Sequence, residues 1–194
     1  VPTGLFDAAA GQDFYRAIVA TLQQAGGYRR RRVGEKPVDG AAQVYEFAYD
    51  WRQDNFVTVK KLDAFIEQIR SDYGGPDLRV DIIAHSMRGL IVRFYERYGI
   101  VHVMNGNYFP VSGAGVDKLR RVVLLGTPNQ GTVSAVHSFL NGYRVGLSRL
   151  PTEGVATMPA MYQLFPHPVI DWVVSLRGKR LERDLFDVDT WRTY

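Results

Sequence analysis

Hydrophobic positions along the chain change period several times, and the changes mark out its elements. From Gln12 to Gln24, Phe14, Ile18, Val19 and Leu22 recur at helical spacing, and Gly26-Gly27 ends the run. A second helix is predicted from Val57 to Arg70, with Val59, Leu62, Phe65, Ile66 and Ile69 on one face. Between the two lies Gln43 to Tyr49, a strand-like segment after a loop containing Gly, Pro and Asp. Gly74-Gly75-Pro76 reads as a turn and Arg79 to Ala84 as a short β-rich run. The helix that follows is expected to bury Leu90, Ile91 and Phe94, with Tyr95 or Tyr98, and to end at Gly99. After a polar, glycine-rich stretch from Asn105 to Gly115, a third strand is predicted over Arg121 to Gly126. Strands separated by helices of crossover length predict an α/β fold with a parallel sheet and right-handed connections. Beyond Thr127 the rhythm weakens. One short helix is expected around Ser134 to Leu140, and 133–194 is read as a cap or an irregular region.

Composition narrows the class without naming a function. With 194 residues, 46% hydrophobic and 23% charged, the chain can bury one sizeable core and reads as an ordinary globular protein. The net charge of +4 owes much to Arg29-Arg30-Arg31-Arg32, read as a solvated turn, and one basic run does not make a nucleic-acid surface. Cysteine is absent, which excludes disulfides and thiolate chemistry and tilts the expected compartment toward the cytoplasm. No apolar run approaches the roughly 18–20 residues of a spanning helix, so membrane contact is expected to be peripheral. The chain opens on Val1-Pro2-Thr3 without a methionine, as a processed or truncated piece would.

The chemistry concentrates at Ala84-His85-Ser86-Met87-Arg88-Gly89, where a strand turns into a helix with a hydroxyl at the corner. A nucleophilic serine is presented to solvent in this way, and the amide of the next residue, Met87, is the natural first oxyanion donor. The tight turn wants small residues two before and two after the serine. Ala84 satisfies the first position and Arg88 departs from the second. A hydroxyl also needs a base and an orienting acid. His85 adjoins the serine and is expected to point away, His102 reads as a surface residue, and His137 and His167 are the remaining candidate bases, with Asp187 or Asp189 as candidate partners. The bland alternative is a helix-capping serine beside a packed histidine.

These blocks, with Leu125-Gly126-Thr127-Pro128-Asn129-Gln130-Gly131-Thr132, resemble α/β-hydrolase lipases. Tyr49-Asp50-Trp51-Arg52 and Asp184 to Trp191 narrow the resemblance to the lecithin:cholesterol acyltransferase-like branch of phospholipases and acyltransferases. The resemblance implies an α/β-hydrolase fold over 1–194 as a single, partial domain, a parallel sheet core with helices on both faces. It implies Ser86 as acyl-accepting nucleophile and Met87 as oxyanion donor, on a lipid or other carboxylic ester substrate, with no cofactor and no metal. Tyr49 to Arg52 is placed near the acyl cleft, with Trp51 as a wall or lid anchor and Thr127-Pro128 shaping the pocket floor. The Asp and His of such enzymes lie downstream of the tryptophan block and the second oxyanion loop upstream. The resemblance therefore points to a complementing segment of the same protein, against the rival expectation of a non-catalytic lipid- or protein-binding homologue.

Overall fold

A computed structural model describes residues 15–102, 110–145, 148–181 and 183–192, leaving Phe14 and the first positions of the predicted opening helix outside the described residues. Helix α1 (Arg16–Gln24) buries none of its side chains. The run of arginines is not a solvated turn. Arg29–Arg31 forms strand β1, which pairs in parallel with β2 (Gln43–Tyr45), Arg30 opposite Val44. The guanidinium of Arg30 bonds the Glu46 carboxylate at 2.9 Å, so the charges line an edge strand as polar edges commonly do. The predicted strand over Gln43 to Tyr49 keeps its ladder only to Tyr45. Beyond it, Phe47 and Tyr49 lend side chains to the core and stack with centroids 5.9 Å apart.

Helix α2 (Asn55–Asp72) starts two residues earlier than the apolar spacing predicts, because the Asp54 carboxylate caps it, accepting from the Phe56 amide at 2.7 Å. Strands β3 (Val80–His85) and β4 (Leu119–Leu125) pair in parallel from Asp81 opposite Arg121 to His85 opposite Leu125. Helix α3 (Arg88–Tyr98) is the crossover between them. Ile82, Ala84, Val122 and Leu124 face α2 and α3, and the resulting core holds Val59, Leu62, Ile66, Ile91, Val92 and Tyr95. Tyr95 is buried, and its hydroxyl donates to Asp63 at 2.7 Å. The same carboxylate receives Lys118 Nζ at 2.6 Å, which joins α2, α3 and the turn before β4.

The expected single parallel sheet with helices on both faces is thus corrected in extent. Among the described residues there are two separate parallel pairs, and the second face of β3–β4 lacks a helical cover. Ile83 and Val123 stand 45% and 47% exposed there, opposite each other in register.

The region expected to be a cap or irregular has its own core. Helix α4 (Val133–Asn141), capped by Thr132, packs with a hairpin of β5 (Tyr143–Val145) and β6 (Ser148–Leu150) and with the short helices α5 (Thr152–Ala156) and α6 (Pro159–Tyr162). Helix α7 (Val188–Trp191) closes the group, with Phe165 stacked on Trp191 at 5.7 Å. Trp51 and Leu164 pack against both cores. Gly131 lets the β4 exit lie on the second unit. A Cβ there would stand 2.0 Å from the Phe165 carbonyl oxygen. The amides of Thr132 and His167 complete the join through the carbonyls of Leu164 and Gln130.

Candidate active site

Strand β3 ends at His85 and α3 begins at Arg88, so the reversal between them consists of Ser86 and Met87 alone. Ser86 has φ +57°, the sole non-glycine residue with positive φ among those described. An L-residue in that region costs roughly 1–3 kcal/mol and persists only where its surroundings enforce it. The enforcement is visible on three sides. The Ser86 amide donates to the Leu125 carbonyl at 2.8 Å, carrying the ladder to the corner, and its carbonyl accepts from the Gly89 amide at 3.0 Å. The Met87 side chain is buried in the main core and pins the turn from below. The first amides of a helix have no intrahelical carbonyl to bond, and among the described residues no backbone carbonyl accepts from the amides of Met87 and Arg88, which follow Ser86 in the chain. A carbonyl oxygen gathering negative charge at such amides is stabilised by preorganised donors.

The close approach that the turn demands is made by Gly89 rather than by the residue at 88. A Cβ on Gly89 would lie 1.9 Å from Thr127 Oγ1, so α3 rides directly on the loop after β4. Thr127 therefore packs beneath the helix start, its Oγ1 buried without a partner among the described residues. Arg88 escapes sideways. Its guanidinium lies 4.9 Å from the ring centre of Tyr15 and 5.4 Å from that of Tyr49, and donates to the Tyr15 hydroxyl at 2.5 Å. Burial pushes the Tyr49 phenol up to about 12, against the opposing pull of the Arg88 charge. Tyr15 also meets His85, hydroxyl to Nδ1 at 3.2 Å.

The candidate bases and acids belong to other elements. His102 is exposed and packs edge-on to Phe56 at 4.5 Å, and His137 is exposed on α4. The Nδ1 of His167 accepts from the Val169 amide at 3.2 Å. Asp187 caps α7, and Asp189 pairs with Arg192 at 2.7 Å. Among the described residues none hydrogen-bonds the Ser86 hydroxyl. Arg52 holds Asp50 in a two-point pair at 2.8 and 2.7 Å, and these bonds draw the Asp50 carboxyl down to about 2. A groove of about 570 Å3 opens beside this pair, lined by Arg52, Gln53, Val57 and Met158 among others, and Ser86 is not in its wall.

The corner is legible in the sequence, whereas the contact of Gly89 with Thr127 is not. Nor does the sequence signal Tyr15 and Tyr49 around Arg88, because that cluster joins residues 73 and 39 positions apart in the chain. No curated protein and no solved structure matches the chain. The profile of the lecithin:cholesterol acyltransferase family, whose members are acyltransferases and hydrolases of lipid esters, matches residues 10–177. With a strand, a strained serine corner and a helix in the middle of that match, the chain belongs to the lecithin:cholesterol acyltransferase family.

Proposed function

We propose that the protein is a serine-dependent lipase, phospholipase or acyltransferase that uses Ser86 as its nucleophile. The observation that carries this reading is the positive φ of Ser86 between β3 and α3. A capping serine has no need of such a conformation, and a nucleophile presented at a sharp strand-to-helix turn has. In this reading Ser86 Oγ gives its proton to a general base as it attacks the ester carbonyl, forming a C–O bond while the carbonyl π pair moves to oxygen. The resulting oxyanion is held by the Met87 amide. Collapse expels the alcohol or lysolipid, which takes a proton from the conjugate acid of the base. The ester left on Ser86 is then resolved by water in hydrolysis or by an acceptor alcohol in transfer. The base and its acid are assigned to a complementing segment of the same protein, since among the described residues no histidine hydrogen-bonds the Ser86 hydroxyl and His85, its chain neighbour, is turned to Tyr15. General acid–base help is worth roughly 10²–10⁴-fold, so turnover by the chain without that segment is expected to be slow.

One observation favours a second reading, a lipid-binding homologue without catalysis: Arg88 stands where the elbow usually has glycine, and no described base touches the hydroxyl. The two readings separate in a phospholipid assay with the whole protein, product fatty acid being quantified for wild type and Ser86→Ala. Release that disappears in the variant supports the nucleophile. Release that is equal in both, or absent in both, contradicts it.

A further inference from the structure

Past the second core the chain forms a small hairpin tip. Val174 bridges Arg180 in antiparallel fashion, and the Leu181 amide donates to the Val173 carbonyl at 3.1 Å. Within the tip the Ser175 amide donates to the Lys179 carbonyl at 2.7 Å, and the Ser175 hydroxyl accepts from the Lys179 amide at 3.0 Å. The turn closes through the Gly178 amide on the Ser175 carbonyl at 2.9 Å. The base is anchored by Trp172, which packs on the second core and donates from Nε1 to the Arg183 carbonyl at 2.9 Å. The tip is therefore a preset shape.

What it carries is unusual for a solvated turn. Leu176 stands at its apex with 108% relative exposure, touching essentially nothing, and Val174 below it is 60% exposed. Arg177, Lys179 and Arg180 surround them, all exposed. Arg180 pairs with Asp171 at 2.6 Å, whereas Arg177 and Lys179 have no carboxylate partner among the described residues. Isolated exposed apolar side chains are ordinary on protein surfaces. Here the apolar pair is raised on a hydrogen-bonded projection and ringed by cations, the arrangement that suits a boundary between acyl chains and phosphates.

We infer that the Val173–Leu181 hairpin is a peripheral anchor for an anionic lipid surface, Leu176 entering the acyl boundary while Arg177 and Lys179 meet the phosphates. A protein partner fits less well. The tip is convex and offers two apolar side chains, far short of the roughly 1,200 Å2 that a specific protein interface buries. No described helix is long and apolar enough to cross a membrane, so an anchor of this kind supplies contact without insertion of a span. The inference takes from the proposed function only that the substrate is a lipid. It does not depend on Ser86, and binding can be read without turnover.

The test is co-sedimentation of the protein with vesicles of phosphatidylcholine, with and without phosphatidylserine, at two salt concentrations. Thermal melts serve as the control for folding, and every substituted side chain is exposed. Wild type is expected to partition onto the serine-lipid vesicles and to be released by salt. Leu176→Asp is expected to lower the partition coefficient at least about tenfold on either vesicle. The double variant Arg177→Glu/Lys179→Glu should remove the preference for anionic vesicles, each charge being worth roughly fivefold near the surface. Absence of wild-type partitioning overturns the inference, as does partitioning that Leu176→Asp leaves unchanged. So does a soluble dimer that Leu176→Asp dissolves, since that would make the tip a contact between copies. Loss of ester turnover in Ser86→Ala with vesicle binding intact would leave this inference standing and bear only on the active site.

Discussion

Gly89→Ala probes the turn that presents Ser86. The added methyl would lie 1.9 Å from Thr127 Oγ1, 2.7 Å from its Cγ2 and 2.8 Å from its Cβ. Rotation about χ1 does not clear the contact, because Cβ itself stays 2.8 Å from the added methyl whichever of its substituents faces it. Overpacking of this kind costs about 1–3 kcal/mol, and alanine in place of helical glycine returns up to about 1 kcal/mol, so a net loss near 1–2 kcal/mol is expected. The Gly89 amide bonds the Ser86 carbonyl, so a displaced α3 also moves the corner, and turnover should fall more than stability does. Thr127→Ala removes the two nearest atoms and is expected to restore part of both losses. Denaturant midpoints of the four proteins in this double-mutant cycle give the coupling, expected at about 1 kcal/mol for residues in direct contact. Unchanged stability of Gly89→Ala, or strict additivity of the pair, would refute the claim that α3 rides on Thr127.

Three other expectations follow from the same geometry. Arg88→Gly loses two ring contacts of about 0.5–1 kcal/mol each and gains no close approach, since that is made at 89; a slightly lower melting temperature with no rise in ester turnover is expected, and a large rise would show that Arg88 limits the site. Trp51→Ala removes one of the two side chains shared by both cores and should cost up to about 3 kcal/mol in a denaturant titration, with a native-like value pointing to independent units. Burial works against ionisation of Asp63, but the bonds from Lys118 and Tyr95 outweigh it and hold its carboxyl below the ordinary value, while the Lys118 bond lowers Glu67 likewise. Depressed carboxylates stabilise above their unfolded values, about pH 4, and lose that contribution as pH falls through the folded ones. The stability gap between wild type and Lys118→Met should therefore be full near neutrality and shrink in acid; a gap that widens in acid would contradict the network.

The legible parts of the chain were those whose signal is local. The strand, corner and helix from Val80 to Tyr98 are read from a β-rich run that gives way to helical spacing, and α2 from its apolar face. Arg29–Arg31 reads as a turn in the sequence because its charge hides its pairing, and Val44, the neighbour that makes Arg30 a strand residue, lies fourteen positions on. The second core was invisible for a related reason: α5 and α6 have five and four residues, too few to establish a helical period, and the cluster is held by aromatic contacts between distant segments. At the corner itself, the tolerance of Arg88 could not be read without knowing that Tyr15 and Tyr49 flank it and that Gly89 meets Thr127.

The most direct test of Ser86 as nucleophile is the intact mass of the whole protein after treatment with a fluorophosphonate, followed by mapping of the modified peptide. A single phosphonyl adduct on the peptide containing Ser86, absent from Ser86→Ala, is the predicted result. An unmodified protein at high reagent concentration, or an adduct on another residue that Ser86→Ala retains, would contradict it.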